Sequence, residues 1–239
     1  MIQYDFQLDN GASFKFEIDL LRTGTTTLSK AAASAWTRLE FNQCSNCPLR
    51  PAEHSHCPVA VDVEKIVHQF KSLFSYEQAL VQVTTPERVY SKRCDVQSGL
   101  RSLLGLVMST SACPILSRLR GLAHYHLPFA SPAETLFRTA GTYLLQQYFV
   151  FKAGGKPDLE LRGLNELYDQ LMIVNRCFKD RIDAASEKDA NMNAIGQLFF
   201  LAMTVADSLE DQLVELKPLF ASLKGAAGGF GESGDAATT

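Results

Sequence analysis

The chain has 239 residues, 46% of them hydrophobic and 21% charged, which is the balance of a globular protein with a full-sized core. A net charge of −3 supplies no global basic field, so nucleic acid is not an expected partner. The most apolar run, Leu198 to Ala206, is too short for a bilayer, and the start Met1-Ile-Gln-Tyr-Asp lacks both the basic and the apolar region of a secretory signal. These features predict no membrane partner and a cytoplasmic, reducing location, where six cysteines serve as thiols or metal ligands rather than as a disulfide framework.

Ile2, Tyr4, Phe6 and Leu8 alternate with polar residues, and Phe14, Phe16, Ile18 and Leu20 do the same, which predicts a β-hairpin over residues 2–20. A two-residue Asn10-Gly11 loop would set Phe6 opposite Lys15. A three-residue loop, Asp9-Asn10-Gly11, instead pairs Phe6 with Phe14 and Tyr4 with Phe16, and places Gly11 where the left-handed conformation is wanted. The three-residue loop is therefore expected. Arg22 to Ala35 reads as a connection, and the alternation of Thr37, Leu39 and Phe41 predicts a third strand over Trp36–Asn42.

Asp62 is the expected N-cap of a helix running to about Ser75, with Val63, Ile66, Val67, Phe70 and Phe74 as its apolar stripe. Ala79–Thr85 and Glu87–Lys92 read as strands broken at Pro86. Asp95 should cap a helix with the face Leu100, Leu103, Leu104, Val107 and Met108, ending at Cys113-Pro114, and a shorter helix should follow over 114–123. Ser131-Pro132-Ala133-Glu134 is a capping box with proline at the first helical position; its helix should run to about Lys152 and stop at Gly154-Gly155. Leu161–Ala185 and Asp189–Leu216 should complete a helical half. The expected fold class is α+β, one domain over 1–222. A small antiparallel sheet with a metal knuckle occupies 1–93, a helical bundle 94–222, and a disordered Gly-, Ala- and Thr-rich tail 223–239.

The chemistry concentrates between Cys44 and Cys57, where Cys44, Cys47, His54, His56 and Cys57 share one short stretch. A Cys-x-x-Cys turn can direct two thiolates at one metal. A structural zinc site would take Cys44, Cys47 and Cys57, with Cys113 as the distant fourth ligand and His54 or His56 as alternates; His56 adjoins Cys57, which strains binding of both to one ion. A [4Fe–4S] cluster would take the same four cysteines, three of which (Cys47, Cys57 and Cys113) precede proline, although the spacing matches neither common ferredoxin run. Reduced thiols in a compact loop, or a redox dithiol at Cys44 and Cys47, are the plainer alternatives; Pro48 and Pro51 argue against the dithiol, which should open a helix. Cys94, at a strand-to-helix junction, is a reserve ligand, and Cys177 reads as a small core residue.

His124-Tyr125-His126 precedes the Ser131 capping box, and His126 with Glu134 makes a weak candidate for acid–base catalysis, set against a structural histidine and a glutamate already explained by the box. Phosphate-loop, dinucleotide, nucleophile-elbow and zinc-protease motifs are absent. Arg93, Arg101, Arg118 and Arg120 read as a solvated helix face. The phrases Asn46-Cys-Pro-Leu49, His56-Cys-Pro-Val59, Cys113-Pro-Ile-Leu116 and His126-Leu-Pro-Phe129 resemble an uncharacterised bacterial family, a domain of unknown function, over most of residues 1–210. That resemblance implies a bacterial source and no assigned activity. The expectation is a metal-binding protein with an interaction or scaffold role, the metal being structural zinc or alternatively an iron–sulfur cluster, and the partner a protein or a second copy meeting the C-terminal helices.

Overall fold

The computed structural model describes residues 1–22 and 34–220. The expected tail at 223–239, and most of the connection expected over Arg22–Ala35, lie outside the described residues. The hairpin forms with the three-residue loop: β1 (Ile2–Leu8) pairs antiparallel with β2 (Ser13–Ile18), Phe6 opposite Phe14 and Tyr4 opposite Phe16. Gly11 takes a φ of 87° and donates its N–H to the Leu8 carbonyl, the conformation that makes glycine the fitting residue there. β3 (Gln78–Thr84) pairs with the other edge of β1, and β4 (Val89–Asp95) with β3, giving the order β2-β1-β3-β4.

The inner face of the sheet carries Ile2, Tyr4, Phe6, Ala79, Val81 and Val83, all buried. Burial of each large side chain contributes about 1.5–3 kcal/mol. Two helices cover this face. One is α1 (Pro58–Phe70), whose Phe70 ring meets those of Phe6, Phe14 and Phe16. The other is α2 (Val96–Thr110), capped as expected by the Asp95 carboxylate, which accepts from the Ser98 N–H. α2 lies so close that a Cβ at Gly99 would stand 2.6 Å from the Phe6 ring.

Beyond α2 a 3-10 turn at Leu116–Leu119 leads into the short α3 (Arg120–His124). The helical half is completed by α4 (Pro132–Lys152), α5 (Arg162–Asp183) and α6 (Ala190–Leu216). The Ser131 capping box is closed in both directions, and Gly154 takes a φ of 81° just beyond α4. α5 and α6 pack along each other, and α6 also lies against α2. The α+β class is as expected, and the described residues form one hydrophobic core that runs from sheet to bundle.

One helix start differs. α1 begins at Pro58 with Cys57 as its N-cap, because proline is preorganised for the first helical position. Asp62 consequently sits within α1 rather than at its start. Its side chain is wholly buried, 3.0 Å from the Arg22 guanidinium, which also donates to the Val107 carbonyl and the Thr110 hydroxyl. Asp62→Ala would leave that guanidinium half-compensated against α2, at an expected cost of about 3–5 kcal/mol in urea unfolding. An effect within the surface range, below about 1 kcal/mol, would show that the pair is dispensable.

Candidate metal centre

Trp36–Asn42 does not form the expected third strand. A 3-10 turn covers Ala35–Thr37, Arg38 makes an isolated bridge to His56, and Asn42 takes a φ of 43°. The alternation did identify buried positions, since Thr37 and Leu39 are both inside. What it missed is where the backbone carbonyls go. Those of Trp36 and Arg38 each accept from Arg181 Nη1 at 2.6 Å, and that of Leu39 from Nη2 at 3.1 Å. Carbonyls committed to a guanidinium do not complete a strand ladder.

Arg181 is only 1% exposed, so α5 thrusts a cation into the protein beneath this loop. Two more contacts tie the loop to α5. Asn42 donates to the Asp180 carbonyl at 3.1 Å and Asn46 to the Gln170 carbonyl at 3.0 Å. The Cys44–Cys47 segment closes a turn, the Cys47 N–H donating to the Cys44 carbonyl at 3.0 Å. The Cys57 N–H donates to the Thr37 carbonyl at 2.8 Å, which places Cys57 against the same loop as it starts α1.

Cys57 and Cys113 are built alike. Each precedes a proline at the entry to a helical turn, Cys57-Pro58-Val59-Ala60 for α1 and Cys113-Pro114-Ile115-Leu116 for the 3-10 turn. The Cys57 thiol closes no capping hydrogen bond, yet the amides of Val59 and Ala60 favour its thiolate, as those of Ile115 and Leu116 favour the thiolate of Cys113. Helix-entry amides of this kind stabilise negative charge on sulfur.

Cys44 interacts electrostatically with Cys177, Cys57, Cys47 and Cys113, and Cys113 with Cys57 and Cys47. Cys44, Cys47, Cys57 and Cys113, from three separate places in the chain, thus lie near enough to influence one another's charge, and Cys177, which reads as a core residue in the sequence, influences Cys44 as well. Cys177 stands one turn before Arg181 on α5, and an arginine in line with Leu171, Val174, Phe178 and Ile182 was the available signal that this stripe is not purely core. Burial, and then the repulsion between neighbouring thiolates, pushes the Cys44 thiol well up from its ordinary value; burial is likewise the leading cause of the upward shifts at Cys57 and Cys113. Burial thus favours the neutral thiol at Cys44, Cys57 and Cys113. Among the described residues, no group of three or more His, Cys, Asp or Glu side chains is assembled so as to hold a metal ion.

The alternates lie elsewhere. His54 is exposed, and His56 Nδ1 is paired with the Ser55 hydroxyl at 2.9 Å. Cys94, on β4, has Asp95, Lys92 and Arg101 as its charged neighbours and stands apart from the other cysteines.

His126 and Glu134 have separate partners. Glu134 is exposed and accepts from the Ser131 N–H at 2.8 Å as the second half of the capping box. His126 Nε2 meets the hydroxyl of the fully buried Tyr4 at 2.5 Å. Burial, with the Arg138 charge as a smaller cause, pushes the His126 imidazole down to about 3. The unfolded chain takes up this proton near pH 6.5 and the folded protein only near 3, so stability is retained above 6.5 and is lost as pH falls through that window. The expected slope approaches about 1.4 kcal/mol per pH unit, and His126→Gln should flatten it in urea unfolding measured between pH 6.5 and 4. An unchanged slope in the variant would assign the acid sensitivity to another group.

No helix among the described residues is long and apolar enough to cross a membrane. No curated protein matches the chain, and no solved structure does. The family model described as a domain of unknown function, DUF6901, matches residues 2–221, nearly the whole chain, and the protein belongs to that family.

Proposed function

We propose that the protein binds one metal centre through Cys44, Cys47, Cys57 and Cys113, and that this centre is a [4Fe–4S] cluster. The observation that carries the reading is Arg181. It is a buried cation with no carboxylate ion pair among the described residues, and the groups that most favour its charge are Cys57, Cys44, Cys47 and Cys177. Neutral thiols compensate a buried guanidinium poorly, whereas four thiolates on a metal centre bring a net negative charge to the same place. Three of the four ligands, Cys47, Cys57 and Cys113, precede proline, which removes an amide and turns the chain away from the metal, and this favours the cluster over a single ion. The amides at Cys57 and Cys113 are the kind of donor that tunes cluster sulfur.

The loop between Cys47 and Cys57 is largely exposed from Pro48 to Ser55, which leaves it open to approach by a partner protein. On α4, Leu145, Tyr148, Phe149 and Phe151 are exposed in a stretch without a charge, which supports docking of a protein or a second copy on that face. Structural zinc is the second reading, favoured by the all-sulfur ligand set and the Cys-x-x-Cys turn. Protein purified without oxygen should be brown, with visible charge-transfer absorption that Cys113→Ser removes. A colourless protein would leave zinc or free thiols.

A further inference from the structure

Away from the cysteines, α2, α3, α4, α5 and α6 surround a cavity of about 170 Å³. Most of its wall is apolar, with Leu106, Met108, Leu122, Leu171 and Leu198 among the lining side chains. The space is partly open to solvent, and an engineered apolar cavity of about 150 Å³ is large enough for a benzene ring.

Two guanidinium groups, Arg101 and Arg138, stand in that wall. Arg101 donates from Nη2 to the Ala130 carbonyl at 3.3 Å, and Arg138 from Nη2 to the carbonyls of Leu122 at 3.0 Å and Tyr125 at 2.5 Å. Neither is in an ion pair with a carboxylate among the described residues. A guanidinium carries five N–H donors, so both keep donors in reserve on the cavity. Burial works against both charges, and an anion would relieve that cost. Three of the other polar groups nearby are already engaged, while Asn175 also faces the cavity. His126 meets Tyr4, the Ser102 hydroxyl accepts from the Phe129 N–H, and Tyr168 shares a hydrogen bond with Thr139.

We infer that this cavity binds a small organic acid, its carboxylate held by Arg101 and Arg138 and its ring or short chain among the leucines. A guanidinium recognises a carboxylate through parallel N–H···O bonds, and a few polar groups in an apolar wall is the usual form of a small-molecule site. The inference does not depend on the metal centre.

Calorimetric titration of the full chain with benzoate, hexanoate and benzyl alcohol tests it. At least one of the two acids should bind saturably, and benzoate or hexanoate should bind at least about tenfold tighter than the neutral alcohol. Arg138→Gln should weaken the acid about tenfold, and Ala202→Leu, which fills the wall without touching either arginine, should abolish binding. Equal affinity for acid and alcohol, or no saturable binding of either acid, overturns the inference. That comparison on the unaltered chain stands whether or not the variants fold.

Discussion

Removing the proposed metal centre under reducing conditions is expected to destabilise the folded state, because a site absent from the unfolded chain converts binding free energy into folding free energy. The loss should be local before it is global. The proposed metal would join the Cys44–Cys57 loop, Cys113 and the start of α1, whereas the sheet and the α5–α6 pair have their own buried contacts. Amide hydrogen exchange should therefore rise first at Cys47 and Cys57, whose N–H groups donate to Cys44 and Thr37, while β1 and β3 stay protected. Uniform loss of protection, or none, would mean that the sulfurs do not share a metal.

Arg181→Met should be the most damaging change outside the cysteines. It removes three hydrogen bonds from a charged donor and leaves the carbonyls of Trp36, Arg38 and Leu39 without their partner, a loss of about 3 kcal/mol or more. It also removes the cation facing Cys57, Cys44 and Cys47, so the variant should retain less metal than the wild type. Arg181→Lys separates the two effects. A lysine keeps the charge but lacks the planar fork that reaches three carbonyls, so it should lose stability while retaining more metal than Arg181→Met. Equal metal content in the two variants would remove charge compensation from the account, leaving Arg181 as a strut for the loop.

Local signals were legible where the chemistry is local. The hairpin register followed from Phe6 and Phe14, and the starts of α2 and α4 from Asp95 and Ser131, because turn geometry and capping are decided within a few residues. Errors arose where a distant group decides. Thr37 and Leu39 alternate like a strand, but their segment answers to Arg181, far along the chain. Asp62 has the composition of a cap, but Cys57-Pro58 starts the helix first and the carboxylate is spent on Arg22. His126 pairs with Tyr4 across the fold, a contact that no spacing rule between the two could disclose. The proposal for Cys44, Cys47, Cys57 and Cys113 rests on Cys-x-x-Cys and Cys-Pro in the sequence. The influence of Cys177 on Cys44 has no such mark, because a cysteine on an apolar helix stripe does not disclose its neighbours until α5 is packed against the loop.

The count of iron, inorganic sulfide and zinc in protein purified without oxygen tests the central claim most directly. A [4Fe–4S] centre on Cys44, Cys47, Cys57 and Cys113 predicts about four irons and four sulfides per chain, both lost in Cys57→Ser. One zinc per chain with no iron would replace the cluster by a structural ion. Neither metal in an intact, fully reduced protein would contradict the account, leaving Cys57, Cys44, Cys47 and Cys177 near Arg181 as thiols with nothing to hold.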